Sequence, residues 1–264
     1  MATKAKPGTA VAVSKPSASN IVSIREQIKA NLAAQAGKTE GGSKKIKFDR
    51  NTFTLPSGAM FQAPMRAVIV DFNTHHSLYE KNYKAGEISP IICAALGDNP
   101  RAMAPYASIA SPQCGDCNGC WANEFKSATN GGNGKACKQV RTLAVMVEDA
   151  NGVIDPKGPI FLMQTNVTAN KVFDAFVKST ASIHQLAPVN VVVSLGIDSS
   201  NPTWNFVTYD NVTPLDEADM GAFMARLPEA KGMLNEEVTV SEPTPEPVKA
   251  APAARGKVSV AARR

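Results

Sequence analysis

Met65-Arg-Ala-Val-Ile-Val-Asp-Phe72 is the stretch on which the fold class turns. β-Branched residues dominate its centre, and it predicts a strand. Upstream, Phe53-Thr-Leu55 and Met60-Phe61 flank Pro56-Ser-Gly58, two short strands about a turn. Downstream, the segment from Ser89 to Lys138 carries few regular signals, although ordinary connections run to only about 4–6 residues. Strand character returns at Arg141-Thr-Leu-Ala-Val-Met-Val-Glu148, passes the Asn151-Gly152 turn, and resumes from Pro159 to Gln164. Asn166 or Thr168 then caps a helix with Val172, Phe173, Phe176, Val177 and Ile183 as its apolar stripe. Pro188 precedes the β-branched strand from Val189 to Leu195. Asp198 to Pro202 is a turn, Thr203 to Tyr209 alternates like an antiparallel strand, and Pro214 opens a helix to about Leu227.

These elements include neither a βαβ alternation nor an internal repeat. They predict a mainly β (α+β) fold: an OB-like antiparallel barrel, with an insertion over residues 89–138 and peripheral helices. Residues 46–230 form that domain. Before it, residues 1–19 read as a disordered basic arm of Ala, Pro, Ser and Lys. Residues 20–45 read as a helix and linker. Ile21, Ile24, Ile28 and Leu32 make the stripe, Ser23 with Glu26 a capping box, and Gly41-Gly42-Ser43-Lys44-Lys45 the linker. Residues 231–264 read as a disordered Pro/Glu/Ala-rich tail with basic residues at its end.

A hydrophobic content of 44% with 19% charged residues suits a soluble core in a chain of one large or two small domains. No apolar run approaches the roughly 20 residues of a bilayer span. Residues 1–20 lack the apolar centre of a secretory signal, so the expected compartment is the cytoplasm, the host's if the protein is viral. The net charge of +5 is concentrated at the start. Residues 1–50 carry +7, residues 235–264 carry +1, and the middle carries −3. The pI therefore argues for a basic arm (Lys44, Lys45, Lys47, Arg50) rather than a basic core.

All five cysteines fall inside the irregular segment: Cys93, Cys114, Cys117, Cys120 and Cys137. Thiols stay reduced in the cytoplasm, so their clustering points to a metal rather than to disulfides. Two-residue spacers let Cys117 and Cys120 share one ion with Cys137, and either Cys93 or Cys114 completes a tetrahedral Zn²⁺ site. Iron–sulfur ligation ranks below zinc, because the run lacks the further cysteine and proline that ferredoxins carry. The competing reading, small buried hydrophobes, sits badly with the surrounding Gly, Asn and Asp. His75 and His76 are neighbours, so at most one can face a given site, and His184 lies on a helix.

Lys126, Lys135, Lys138 and Arg141 are the charged residues between Glu124 and Glu148, and all are positive. Gly131, Gly132 and Gly134 allow close backbone approach to an anion. Ala136 stands where a nucleotide-hydrolysing phosphate loop needs a hydroxyl, which argues against that chemistry. Trp121 and Phe125, with Phe72, Tyr79 and Tyr83 upstream, supply aromatic faces. Cations for phosphates and rings for bases are what single-strand binding needs. The alternative is that the aromatics pack the loop and the lysines are merely solvated.

Three segments together resemble phage-encoded proteins of the single-stranded-DNA-binding type. They are Pro112-Gln113, Cys117-x-x-Cys120-x-x-Asn123-x-Phe125-x-Ser127-Ala128, and Gly132-x-Gly134-Lys135-Ala136-Cys137-Lys138. The resemblance spans about residues 46–165 and is specific in the cysteine segment. It implies Cys93, Cys117, Cys120 and Cys137 as ligands of a structural Zn²⁺, leaves Cys114 as an extra thiol, and implies an OB-like fold used in phage DNA replication or recombination. Trp121 stands where the family pattern has proline. The basic-ended tail departs from the acidic tails of many single-strand binders, which places tail-mediated recruitment of replication or recombination proteins in question.

The expected function is non-enzymatic and not sequence-specific: binding single-stranded DNA through Phe72, Tyr83, Trp121, Phe125, Lys126, Lys135, Lys138 and Arg141. No membrane partner and no catalytic residues are expected. A virion or assembly protein with a zinc staple is the alternative. A metal-dependent enzyme acting on nucleic acid, with Glu124, Asp116 or His75 as acid or base, is a third reading.

Overall fold

The structure, a computed structural model, describes residues 45–81, 89–128, 132–200, 204–236, 238 and 240. The arm, the helix expected before residue 45, the tail beyond residue 240 and Tyr83 lie outside the described residues.

Strand β4 (Met65–Tyr79) organises the sheet. It continues past Phe72, where the apolar pattern stops, through Asn73-Thr-His-His-Ser-Leu-Tyr79. Asn73, Thr74, His75 and His76 are buried although polar. This half is a strand because both its edges are paired, not because of its own pattern. One edge of β4 runs antiparallel to β6 (Lys138–Val147), from Ala67 opposite Val147 to Ser77 opposite Lys138. The other edge is shared. Strand β8 (Val191–Asp198) takes Met65 to Ala67, and β5 (Ile91–Gly97) takes Thr74 to Tyr79. The segment expected to be irregular from Ser89 thus begins with a strand. Its Cys93-Ala-Ala95 core is weak in β propensity, and pairing with β4 overrides that weakness.

Strands β1 (Lys45–Asp49), β2 (Thr52–Thr54) and β3 (Met60–Gln62) form an antiparallel meander. Gly58 adopts a φ of +85° in the turn between β2 and β3. Strand β7 (Phe161–Gln164) pairs antiparallel with β6 and parallel with β1, and β9 (Phe206–Pro214) lies antiparallel to β8. The order is β3-β2-β1-β7-β6-β4-β8-β9, with β5 also on β4. This mainly antiparallel sheet curls into a half-barrel. Ser199 Oγ donates to the Arg50 carbonyl (2.7 Å) and Asn205 Nδ2 to Asp49 Oδ1 (3.2 Å). These bonds draw the β8–β9 connection against the β1–β2 turn, from the far part of the sheet.

Alternation sorts the side chains into two cores. Inside the curl lie Ile46, Phe53, Ala67, Ile69, Leu143, Val145, Met163, Val193, Leu195 and Val207. Helix α1 (Asn170–Ser179) fills this space with Phe173 and Phe176. Phe173 meets Phe72 edge-on at 4.8 Å and Tyr209 at 5.4 Å, while Phe176 stacks on Tyr209 at 5.1 Å. Outside the curl, Val68, Val70, Ala144, Met146 and Val192 pack beneath helices α2 (Glu217–Met224) and α3 (Leu227–Leu234). Asn73 Nδ2 donates to the Leu234 carbonyl (2.8 Å), satisfying an acceptor at the end of α3.

Two helix expectations are corrected. Ile183 does not belong to the buried stripe, because Thr180–His184 winds as a π-helical turn and leaves it 70% exposed. Pro214 ends β9 rather than opening a helix. Asp216 caps α2 by accepting from the Asp219 N–H, and Pro228 sits in the first turn of α3. Among the described residues, no helix is long and apolar enough to cross a membrane.

Phe173 is fully buried at the centre of the aromatic cluster. Phe173→Ala is expected to lower unfolding stability by about 3–5 kcal/mol in chemical denaturation, whereas Ile183→Ala shifts it by less than about 0.5 kcal/mol. A second expectation concerns pH. Burial, with the Lys45 ammonium adding to it, pushes the His75 imidazole down to about 4. A folded value below the unfolded one contributes stability above about pH 6.5, and that contribution is lost as pH falls towards 4. Calorimetric melting from pH 7 to pH 4 should therefore show a smaller fall for His75→Asn than for the parent chain.

Candidate functional site

The second half of β4 presents Thr74, His76 and Leu78 on the same face as Phe72, so one face continues from the α1 core into the cysteine segment. Leu78 lies opposite Cys93 on β5, and Cys137 immediately precedes β6, whose first residue pairs with Ser77. Two sulfurs thus enter from strand ends. The chain from Asp98 to Ala136 folds back over them and supplies the other three.

Local hydrogen bonds fix that return. The Tyr106 N–H bonds the Ala94 carbonyl, the Cys117 N–H the Met103 carbonyl, and the Cys137 N–H the Ala122 carbonyl, at 2.8–3.0 Å. Asp116 Oδ1 accepts from the Gly119 N–H (2.7 Å), shaping the turn between Cys117 and Cys120. Asn123 Nδ2 donates to the Cys117 carbonyl (2.8 Å). Ser127 Oγ accepts from the Ala136 N–H (2.9 Å) and donates towards the carbonyls of Ala122 and Glu124. Asn123 and Ser127 carry the geometry of the loop, yet no sequence motif assigns them a role of their own. Their signal is their position between Cys120 and Cys137, where short polar side chains bond nearby backbone.

Cys114, Cys117 and Cys120 come from the loop, and together with Cys93 and Cys137 they line one cavity of about 20 Å³, with His76, Leu78 and Asn123. That space admits about one water-sized or ion-sized occupant. Cys117 and Cys120 are buried, while Cys93, Cys114 and Cys137 are partly so. Burial pushes the Cys117 thiol up to about 11 and the Cys137 thiol up to about 12, and neighbouring sulfurs, Cys93 and Cys120 among them, add to both shifts. Burial also raises Cys120, with a hydrogen bond to Cys114 contributing. Among the described residues, no group of three or more His, Cys, Asp or Glu is arranged to hold a metal ion as it stands. The sulfurs surround the cavity without closing on a common centre. The donor chemistry, four or five thiols around a one-ion space, fits a tetrahedral Zn²⁺ once the sulfurs draw in and lose their protons.

Above the cavity, the short 3₁₀ turn Trp121–Asn123 buries Ala122 and turns Trp121 outward, 46% exposed. Phe125 is 77% exposed, with the Lys135 ammonium 5.1 Å from its ring centroid. Lys135 Nζ also donates to Asn123 Oδ1 (2.9 Å), and Lys138 Nζ to the Lys135 carbonyl (2.7 Å). Lys126 is exposed at a φ of +70°, with its N–H on the Asn133 carbonyl. Trp121, Phe125 and Lys126 are thus exposed on the loop, Lys138 is exposed at the start of β6, and Lys135 is half-buried between Phe125 and Asn123.

Two expected contact residues lie elsewhere. Arg141 is 7% exposed; its Nη2 pairs with Asp174 Oδ1 at 2.9 Å and its Nη1 bonds Thr74 Oγ1. Its place in β6 points it along the inner face, so it joins sheet to α1 rather than meeting a phosphate. Phe72 is half-buried and packs edge-on against Phe173 in the α1 core, away from the loop. His75 lies on the opposite side of β4 from His76. Glu124 and Asp116 are exposed on the loop, and Glu124 does not line the cavity.

Comparison of the chain with protein-family models, with curated proteins and with solved structures finds no match in any of the three.

A zinc centre built on this cavity makes a ligand-by-ligand expectation. Elemental analysis of the full chain should give one zinc per chain for the parent and for Cys114→Ser. Cys93→Ser, Cys117→Ser and Cys137→Ser should each lose most of it.

Proposed function

We propose that the protein binds single-stranded DNA without sequence specificity, through an aromatic and cationic loop held in shape by a structural Zn²⁺ on Cys93, Cys117, Cys120 and Cys137. The observation that carries this reading is Phe125, largely exposed, with the Lys135 ammonium 5.1 Å from its ring centroid, on a loop that also exposes Trp121 and Lys126. An exposed phenyl ring costs solvation free energy and contributes nothing to a core. Beside ammonium groups it has the two features a nucleotide needs, a π-face for the base and cations for the phosphate. Duplex DNA hides its base faces, so the surface favours unpaired strands.

The curled, mainly antiparallel sheet supports an OB-like assignment, because a partly open barrel with a helix inside its curl suits that architecture. The zinc supplies Lewis-acid charge that holds thiolates together, and no reaction step runs through it. Asn123 and Ser127 hold the turn above it, and Lys135 offsets thiolate charge from the loop side. The resemblance of the Cys117–Lys138 segment to phage single-strand binders supports phage DNA replication or recombination as the setting.

Tryptophan fluorescence titration with oligo-dT and with duplex DNA at two salt concentrations tests the reading. Phe125→Ala is expected to weaken oligo-dT binding by about 1–3 kcal/mol. Lys126→Ala with Lys138→Ala should reduce the salt slope by about 0.7 for each phosphate that is no longer neutralised. Equal affinity for duplex, or no effect of Phe125→Ala, would remove the loop from the interface.

A further inference from the structure

His76 is 2% exposed, and neither ring nitrogen has a hydrogen-bond partner. Its side chain lines the cysteine cavity. On β5 it lies opposite Ala95, and Ala95 packs with Cys117 and Met103, so Cys117 sits over the row that His76 occupies. Leu78, two residues on, shows that the same face accepts an aliphatic side chain at the next position. A histidine with two idle polar atoms in such a place is costly, since an unsatisfied buried donor or acceptor is destabilising where an apolar side chain of similar shape is not.

We infer that His76 is the positioning residue of this metal centre, its imidazole N–H donating to a cysteine thiolate, Cys117 foremost, once a divalent cation has displaced the thiol protons. The inference rests on the zinc reading given above. Metal-free, the cavity offers His76 neutral thiols, which are weak acceptors. When a dication binds four thiolates, the centre carries a net charge of about −2 in a nearly dry space. Each thiolate then becomes a strong acceptor, and an N–H donor aimed at it offsets charge that water cannot reach. The imidazole acquires a partner at the same moment as the sulfurs. A neutral imidazole keeps one N–H and one bare nitrogen. A neutral donor suits this task, and Lys135, on the loop side, supplies the formal positive charge.

The test uses the full chain, with competitive zinc titration against a chromogenic chelator, and His76→Phe and His76→Gln as variants. His76→Phe is expected to weaken zinc binding by about 10–100-fold, the usual cost of removing such a partner. The melting temperature of its metal-free form should be unchanged or higher, because an unpaired polar ring has been replaced by an apolar one. His76→Gln, which restores an N–H, should recover part of the affinity. Cobalt-loaded His76→Phe should show its sulfur-to-metal charge-transfer band at lower energy, since a thiolate without its hydrogen bond is more electron-rich. Unchanged zinc affinity in both variants overturns the inference and leaves the zinc centre standing. So does a loss of affinity matched by a lower metal-free melting temperature in both, which marks a packing role. A parent chain that binds no stoichiometric zinc overturns the centre and the inference together.

Discussion

One strand face has to serve two unlike interiors. Along β4, Phe72, Thr74, His76 and Leu78 point the same way, and within that run the environment changes from aromatic core to thiol cavity. A strand leaves no freedom here, because its two-residue period commits every second side chain to that face. A one-residue slip of β4 against β6 would turn Leu78 and His76 away from the sulfurs and Phe72 away from Phe173. The register from Asp71 opposite Ala144 to Ser77 opposite Lys138, set beyond a bulge between Ile69 and Asp71, therefore holds Phe72 and the site in one frame.

Arg141 makes the change of environment possible. Its guanidinium lies between the two interiors, bonded to Thr74 on β4 and to Asp174 on α1. A buried guanidinium needs partners for its donors, and here Nη1 finds one on a strand and Nη2 one on a helix packed on it, while Nε has none. The pair ties α1 to the sheet at the point where aromatic packing runs out. Asp174 remains partly exposed, so solvent screens the attraction, and geometry rather than raw Coulomb energy is what the pair contributes. A positive residue beside Gly134-Lys-Ala-Cys137 invites a phosphate-binding role from sequence. Its strand position decides otherwise, since Arg141 shares a face with Leu143, a core residue two positions on.

The same distinction explains what was legible. Val68 to Val70, Leu143 to Val145 and Val191 to Val193 announce their strands because their side chains are what a buried pleated surface accepts. Asn73 to Ser77 and Cys93 to Gly97 do not, since their strand state comes from neighbours. The helix after Asn166 was readable from Phe173 and Phe176, but not its end, because the π-helical turn at Thr180–His184 rotates Ile183 out of a stripe that ideal spacing would keep buried. At the site, spacing groups Cys117, Cys120 and Cys137 and leaves Cys93 and Cys114 as alternatives, and all five line the cavity. Which histidine joins them depends on strand parity, and parity is unreadable from an apolar pattern that stops at Phe72. The adjacency of His75 and His76 did limit the choice to one.

The loop above the cavity faces a problem that its own contacts do not solve. Among the described residues between Asp98 and Ala136 the buried apolar side chains are few (Met103, Tyr106, Cys117, Cys120, Ala122), and the rest of that order comes from turns and single hydrogen bonds. Such bonds contribute only about 0.5–1.5 kcal/mol each, while fixing a residue's backbone costs about 1–2 kcal/mol. A loop made this way would sample many shapes, and a nucleotide stacking on Phe125 would have to order it. In the zinc centre we propose, tying its base at Cys93 and Cys137 to Cys117 and Cys120 through one ion would move that ordering to the metal-binding step. On that proposal Phe125 would be presented in place before a strand arrives, and its stacking energy would go to affinity rather than to folding the loop. Under the proposed function, a metal with no contact to nucleic acid would in this way govern how tightly nucleic acid is held.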